Sequence, residues 1–212
     1  MKTLKYSFFS CVVFFLFGCG IIVINPKYED LIKNEQERIA PDSLESIDGF
    51  YKAYEDLSTK NIYKVDAKTT KEIIKNSDKE FVLIIFYANW CSPCKKQMPY
   101  IKEFYNKNKN LITLLYVSTS EWSQLNKDRE YLNSLNLLVG ASLVVDINKY
   151  GNKLSPKKRF ISYFKGLNFS NFDSNKIGFP TYVLVKNDLT HIYTNSGIFE
   201  NEKISNFITS TN

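Results

Sequence analysis

Seven consecutive apolar residues, Phe81 to Tyr87, have the length of one strand, and a run unbroken by polar positions reads as a strand buried on both faces. Leu111 to Val117 reads as a second such strand. Between them the period changes: Met98, Ile101, Phe104 and Tyr105 fall at helical spacing, which predicts a helix over about Cys91 to Asn108. Upstream, Ile62–Val65 reads as a short strand and Thr69–Lys75 as a short helix. Downstream come a helix over Glu121–Leu135, a short strand at Ser142–Val145, and a helix over Pro156–Leu167 that opens on its proline. Thr181–Val185 and Leu189–Thr194 read as a hairpin turning at Lys186-Asn187-Asp188, and Glu200–Ile208 closes as a helix. Strands alternating with helices, followed by an antiparallel pair, predict an α/β domain over 61–212, with helices flanking a central mixed sheet. Residues 19–60 are polar and charge-mixed. Helical spacing in Tyr28-Leu31-Ile32 and Phe50-Tyr54-Leu57, interrupted at Pro41-Asp42, reads as a spacer with short helices.

The N-terminus has a different pattern. Lys2 and Lys5 precede an apolar stretch from Phe8 to Phe17, a positive region followed by a hydrophobic one, as in an export signal. It ends in Leu16-Phe17-Gly18-Cys19, which resembles the lipobox of bacterial lipoproteins. That resemblance implies a signal peptide over 1–18 and a lipid on Cys19 that holds the chain on a membrane. Gly20 after Cys19 is not the acidic retention signal known in some bacteria, which favours the outer membrane. The competing reading is an uncleaved anchor helix, because apolar character continues to Ile24, which is barely spanning length. Both readings place the rest of the chain outside the cytoplasm, in the bacterial cell envelope.

Composition changes the picture little. The chain has 212 residues, 44% hydrophobic and 24% charged, which suits one globular domain with a full core. A net charge of +6 falls to about +4 once Lys2 and Lys5 are removed with the signal. The longest basic run is Lys157-Lys158-Arg159, which reads as a solvated helix face and argues against a nucleic-acid partner.

Cysteine placement carries more. Of the four cysteines, Cys11 lies in the signal and Cys19 at the lipid site, so the mature domain keeps Cys91 and Cys94. A pair so close closes almost no loop and is a poor structural staple, whereas redox chemistry needs that proximity. Trp90-Cys91-Ser92-Pro93-Cys94 sits between the apolar strand and the following helix. A cysteine at a helix N-terminus is favoured as thiolate, the species that attacks disulfides; a second, one turn on, can resolve the mixed disulfide. Pro93 suits the first helical turn, where no N–H is needed.

These residues, with Phe86-Tyr87-Ala88-Asn89 before them, Pro99 after them, and Gly178-Phe179-Pro180-Thr181-Tyr182 far downstream, resemble the thioredoxin-like family. Cys94-Lys95-Lys96-Gln97-Met98-Pro99 more narrowly resembles the membrane-anchored and lipoprotein thiol-disulfide oxidoreductases related to the bacterial cytochrome-maturation reductases. The resemblance implies a thioredoxin-like fold with an insertion between the third strand and the cis-proline strand. It implies Cys91 as nucleophile and Cys94 as resolving cysteine, with a cis peptide before Pro180. Substrate would contact Trp90, Pro93, Phe179 and Pro180. The partners implied are protein thiols and disulfides as substrate and a membrane redox donor; no cofactor is implied. Two departures stand out. Ile85 occupies the place of the buried acid that many relatives have six residues before the first cysteine, and Gln97 replaces a glutamate found in some cytochrome-maturation relatives.

Zinc would need four ligands, and His191 is the only histidine, so the pair reads as redox-active rather than metal-binding. His191 reads as an ordinary strand residue. Two functions of different class stay open. One is an enzyme exchanging disulfides in exported proteins, as a reductant; the other is a non-catalytic thioredoxin-fold binding lipoprotein.

Overall fold

The computed structural model describes residues 41–58, 61–121, 124–134, 139–151, 155–169 and 177–210. The signal peptide, Cys19 and the helical pattern at 28–32 lie outside them. The described strands are β1 (Asp42–Ser43), β2 (Asn61–Val65), β3 (Phe81–Tyr87), β4 (Ile112–Ser118), β5 (Ala141–Val145), β6 (Thr181–Lys186) and β7 (His191–Ser196). The helices are α1 (Ile47–Glu55), α2 (Ala67–Lys75), α3 (Ser92–Asn108), α4 (Leu125–Ser134), α5 (Ile147–Tyr150), α6 (Pro156–Leu167) and α7 (Asn201–Ser210). The strands form one sheet in the order β1-β2-β5-β4-β3-β6-β7.

β3 lies inside this sheet because its apolar run needs cover on both faces. It pairs in parallel with β4 along its whole length, from Phe81 opposite Ile112 to Tyr87 opposite Ser118, and antiparallel with β6 on its other side. Period-two alternation then divides its side chains. Phe81, Leu83, Ile85 and Tyr87 pack with Ile101 and Phe104 of α3, Leu125 and Leu132 of α4, and Ile204 and Ile208 of α7. Val82, Ile84 and Phe86 pack on the other face with Phe50 of α1, Ile73 and Ile74 of α2, and Phe160, Tyr163 and Phe164 of α6. The result is three layers, helices on both faces of a mixed sheet, as the pattern predicts.

Two expectations need correction. The segment read as spacer contributes to the domain: Asp42–Ser43 pairs in parallel with β2, and Phe50 of α1 is wholly buried. The end of α1 closes on Gly140, whose N–H donates to the Tyr54 carbonyl at 2.8 Å. A Cβ at Gly140 would stand 1.9 Å from the Asp56 carbonyl oxygen, so only glycine allows this approach. The signal for burial was the spacing of Phe50, Ala53 and Tyr54, too short to announce itself against the polar residues between. The insertion between β4 and β6 belongs to the sheet: its strand β5, expected at Ser142–Val145, pairs with both β2 and β4. Secondly, Arg159 is fully buried rather than solvated. Its guanidinium donates to the Thr119 carbonyl at 2.7 Å and lies 4.0 Å from a Glu121 carboxylate oxygen, while Lys157 and Lys158 stay exposed.

Local signals account for the element ends. Asp66 caps α2 by accepting from the Thr69 N–H at 2.7 Å, Ser155 precedes Pro156 at the start of α6, and Asn168 ends α6 in the left-handed region at φ 55°. The hairpin turn runs further than expected because Leu189 adopts φ 74°, so β7 starts only at His191.

Candidate redox site

β3 ends at Tyr87, and the chain turns through Ala88-Asn89-Trp90 before α3 begins. The Cys91 N–H donates to the Ala88 carbonyl at 3.0 Å, which fixes the turn. Cys91 is therefore the N-cap of α3, and Cys94 lies in its first turn. The two are joined by a disulfide with Cα atoms 5.2 Å apart. The Cys94 N–H donates to Cys91 Sγ at 3.1 Å. That N–H is one of the donors a helix start leaves without a partner. Once the pair is reduced, the same donor and the positive end of the helix dipole favour thiolate at Cys91. No acidic residue occupies the first turn to oppose this. Cys91 is 3% exposed and lines the groove, whereas Cys94 is wholly buried.

Trp90, 61% exposed, stands beside the pair and meets the Phe179 ring edge-to-face at 5.8 Å. Phe179 in turn stacks on Phe160 of α6, with centroids 5.2 Å apart. The Phe179–Pro180 peptide is cis, as the resemblance implies. The Pro180 carbonyl accepts from the Gly197 N–H at 2.9 Å, which ties this loop to the end of β7. Trp90, Cys91, Pro93 and Phe179 thus line one groove of about 400 Å³ together with Ser92, Lys157, Ile177 and Gly178. Pro180 is buried and is not among the described residues that line it. On the other side of Trp90 a more polar pocket is bordered by Lys95, Lys127, Glu130 and Tyr131, with the Lys95 ammonium 5.4 Å from the Tyr131 ring centre.

The two positions where the family's acids would stand have other uses here. Ile85 is wholly buried in the apolar cluster that contains Cys94. Gln97 Oε1 accepts from the Phe199 N–H at 3.0 Å, which holds Phe199 against Phe104 and Tyr182. A buried carboxyl comes instead from α4. Asp128 is completely enclosed; Ser118 Oγ donates to it at 2.8 Å and Ser120 Oγ at 3.2 Å, and the Asn89 side chain also bonds it. All three partners are neutral. Burial therefore wins over these hydrogen bonds and pushes the Asp128 carboxyl up to about 6. Asn89 belongs to the turn just before Cys91 and also donates to the Gln124 carbonyl at 3.3 Å. The sequence held a signal for this residue. Leu125, Asp128 and Leu132 share one helix face, so a charge stands on an apolar stripe.

His191 lies far from the pair. It opposes Val185, which opposes Val82 at the start of β3, whereas the cysteines follow the end of β3. Its ring stacks on Phe169 and its Nε2 lies 2.7 Å from Thr194 Oγ1, and burial lowers its pKa.

A cis proline just before a buried strand, and a Cys-x-x-Cys disulfide at a helix N-terminus on a mixed sheet flanked by helices, give the chain a thioredoxin-like fold. Residues 52–133, which include the cysteine pair, match the family model described as Thioredoxin. Thioredoxin Y2 of Arabidopsis thaliana chloroplasts is 35% identical over 54 residues, 26% of this chain; the match spans about a third of that relative, 32%. Among solved structures, the thioredoxin domain of a Bacteroides vulgatus thiol-disulfide oxidoreductase superposes with a TM-score of 0.46 at 17% identity. It covers 61% of this chain and 79% of that one. The exposed lipoprotein thioredoxin of Streptococcus pneumoniae gives 0.43 at 15% identity, covering 65% and 89%.

Proposed function

We propose that the protein is a thiol-disulfide oxidoreductase that reduces disulfides in exported proteins while tethered to a membrane through Cys19. The observation that carries this reading is the placement of Cys91 Sγ on a helix-terminal N–H, 3.1 Å away, at the edge of an open groove. In the reduced protein the Cys91 thiolate attacks one sulfur of a substrate disulfide, and the other substrate sulfur leaves as a thiolate. Cys94, deprotonated, then attacks Cys91 Sγ. The second substrate sulfur is released, two electrons have passed to the substrate, and the pair ends as the disulfide. A membrane dithiol donor would return those electrons. Trp90, Pro93 and Phe179 offer the substrate an apolar surface, with the cis bond before the buried Pro180 shaping the loop. The export signal and Leu16-Phe17-Gly18-Cys19 support the anchor and an extracytoplasmic location, with the outer membrane favoured by Gly20.

The test is reduction of insulin by the dithiothreitol-reduced protein, with Cys91→Ser as control. Turnover that disappears in the variant is the expected result. No turnover in wild type, or equal turnover in the variant, would leave a fold used for binding alone. The direction is tested by equilibrating the pair with glutathione. A potential as oxidising as about −120 mV, typical of a strong oxidant, would reverse the assignment as reductant.

A further inference from the structure

Among the described residues, the groove beside the disulfide is lined by apolar side chains and one charge. Trp90, Pro93, Ile177 and Phe179 supply the walls, and Lys157 is the ionic side chain among the described lining residues. The fold fixes where that charge sits. Lys157 is in the first turn of α6, and Phe160, three residues on, lies on the same helix face. Phe160 is wholly buried, stacks on Phe179 at 5.2 Å and packs on Phe86 at 4.7 Å. The ring that anchors α6 to the sheet therefore also supports the groove wall, and the lysine follows it to the rim. Among the described residues no carboxylate forms an ion pair with Lys157. The surrounding charge is mostly of the same sign. Lys95 and Lys96 are exposed on the first turns of α3, and among its described lining residues the neighbouring pocket carries Lys95 and Lys127 against Glu130.

We propose that this groove selects a substrate cysteine in an extended protein segment with an apolar side chain beside the sulfur and a carboxylate reaching Lys157. The proposal rests on the reading of the pair as a disulfide-exchange centre and names its substrate class. The apolar walls penalise a charged neighbour next to the sulfur, because it would lose hydration without a partner. At the rim, a carboxylate gains the attraction of Lys157 while staying wet. An exposed pair of this kind changes kcat/KM by up to about fivefold at low ionic strength. The gain appears in encounter and binding, and salt screens it.

The experiment uses disulfide-linked peptides with phenylalanine next to the cysteine. One further position, two residues before the cysteine in one set and two after it in another, is Asp, Asn or Lys. The reduced protein is assayed at about 0.02 M and about 0.5 M salt, on either side of effective screening. In at least one set the expected order is Asp above Asn above Lys, with Asp up to about fivefold over Asn at low salt and the spread closing at high salt. Lys157→Glu, a change at an exposed helix position, should invert the order. Equal rates for all three peptides in both sets overturn the proposal, as does an order unchanged in Lys157→Glu. Failure to reduce any peptide overturns the oxidoreductase reading itself, a separate outcome.

Discussion

Asp128→Asn isolates the cost of an enclosed carboxylate whose partners among the described residues are neutral. In the folded protein burial holds the Asp128 carboxyl at about 6, against an ordinary value of 3.8. Below pH 3.8 the group is protonated in both folded and unfolded chains and costs nothing. Between 3.8 and 6 the unfolded chain has released its proton and the folded chain has kept it, so stability falls as pH rises. Above 6 the group is ionised in both states and the full cost stands. At about 1.4 kcal/mol per unit, this span is worth about 3 kcal/mol. Asn has nearly the same shape, and the hydroxyls of Ser118 and Ser120 can accept from its amide as well as donate to its carbonyl. An imperfectly paired amide N–H would take back about 1 kcal/mol, at every pH alike. Urea unfolding of both proteins, oxidised, from pH 4 to 7 gives the test. The variant should gain on wild type by about 3 kcal/mol between the acid and neutral ends, with the change falling between pH 4 and 6. Asp66 titrates in the opposite sense. Burial opposes ionisation there, but Lys149 and the Thr69 N–H lower its carboxyl to about 2, so its contribution is lost as pH falls from 3.8 towards 2. Being present in both proteins, it cancels in the difference. A difference independent of pH, or a gain for wild type on raising the pH, would refute the argument.

Phe160→Ala removes a ring that touches Phe86, Phe164 and Phe179, and should destabilise the protein by about 3–5 kcal/mol in chemical denaturation. A loss under about 1 kcal/mol would mean that α6 is not held to the sheet through this ring. Cys19→Ala should abolish incorporation of radiolabelled palmitate. Label retained in that variant would remove the lipid assignment.

What could be read from the sequence was local in origin. Cys91 and Cys94 are three residues apart, the β3 run lies within seven consecutive positions, and the ends of α6 follow from Pro156 and the break after Leu167. Dihedral preference, hydrogen bonds to near neighbours and burial periodicity act over such distances, so residue type and spacing suffice. Asp42–Ser43 and Phe50 lay beyond that range, because a two-residue strand and a short amphipathic turn gain their stability only from β2 and Gly140, brought near by the fold.

The site divides along the same line. Sequence by itself determined the redox pair, the exposed tryptophan before it and the proline that follows Phe179, since each belongs to a short motif. Only the tertiary structure decided that Asp128 is buried beneath the turn carrying Asn89, that Arg159 points inward while Lys157 reaches the groove, and that Gln97 serves as a backbone acceptor for Phe199. Desolvation and charge depend on everything within several ångströms of an atom, whatever its distance along the chain. For that reason the pairing of Cys91 with Cys94 was legible from their spacing in sequence, and the electrostatics around them were not.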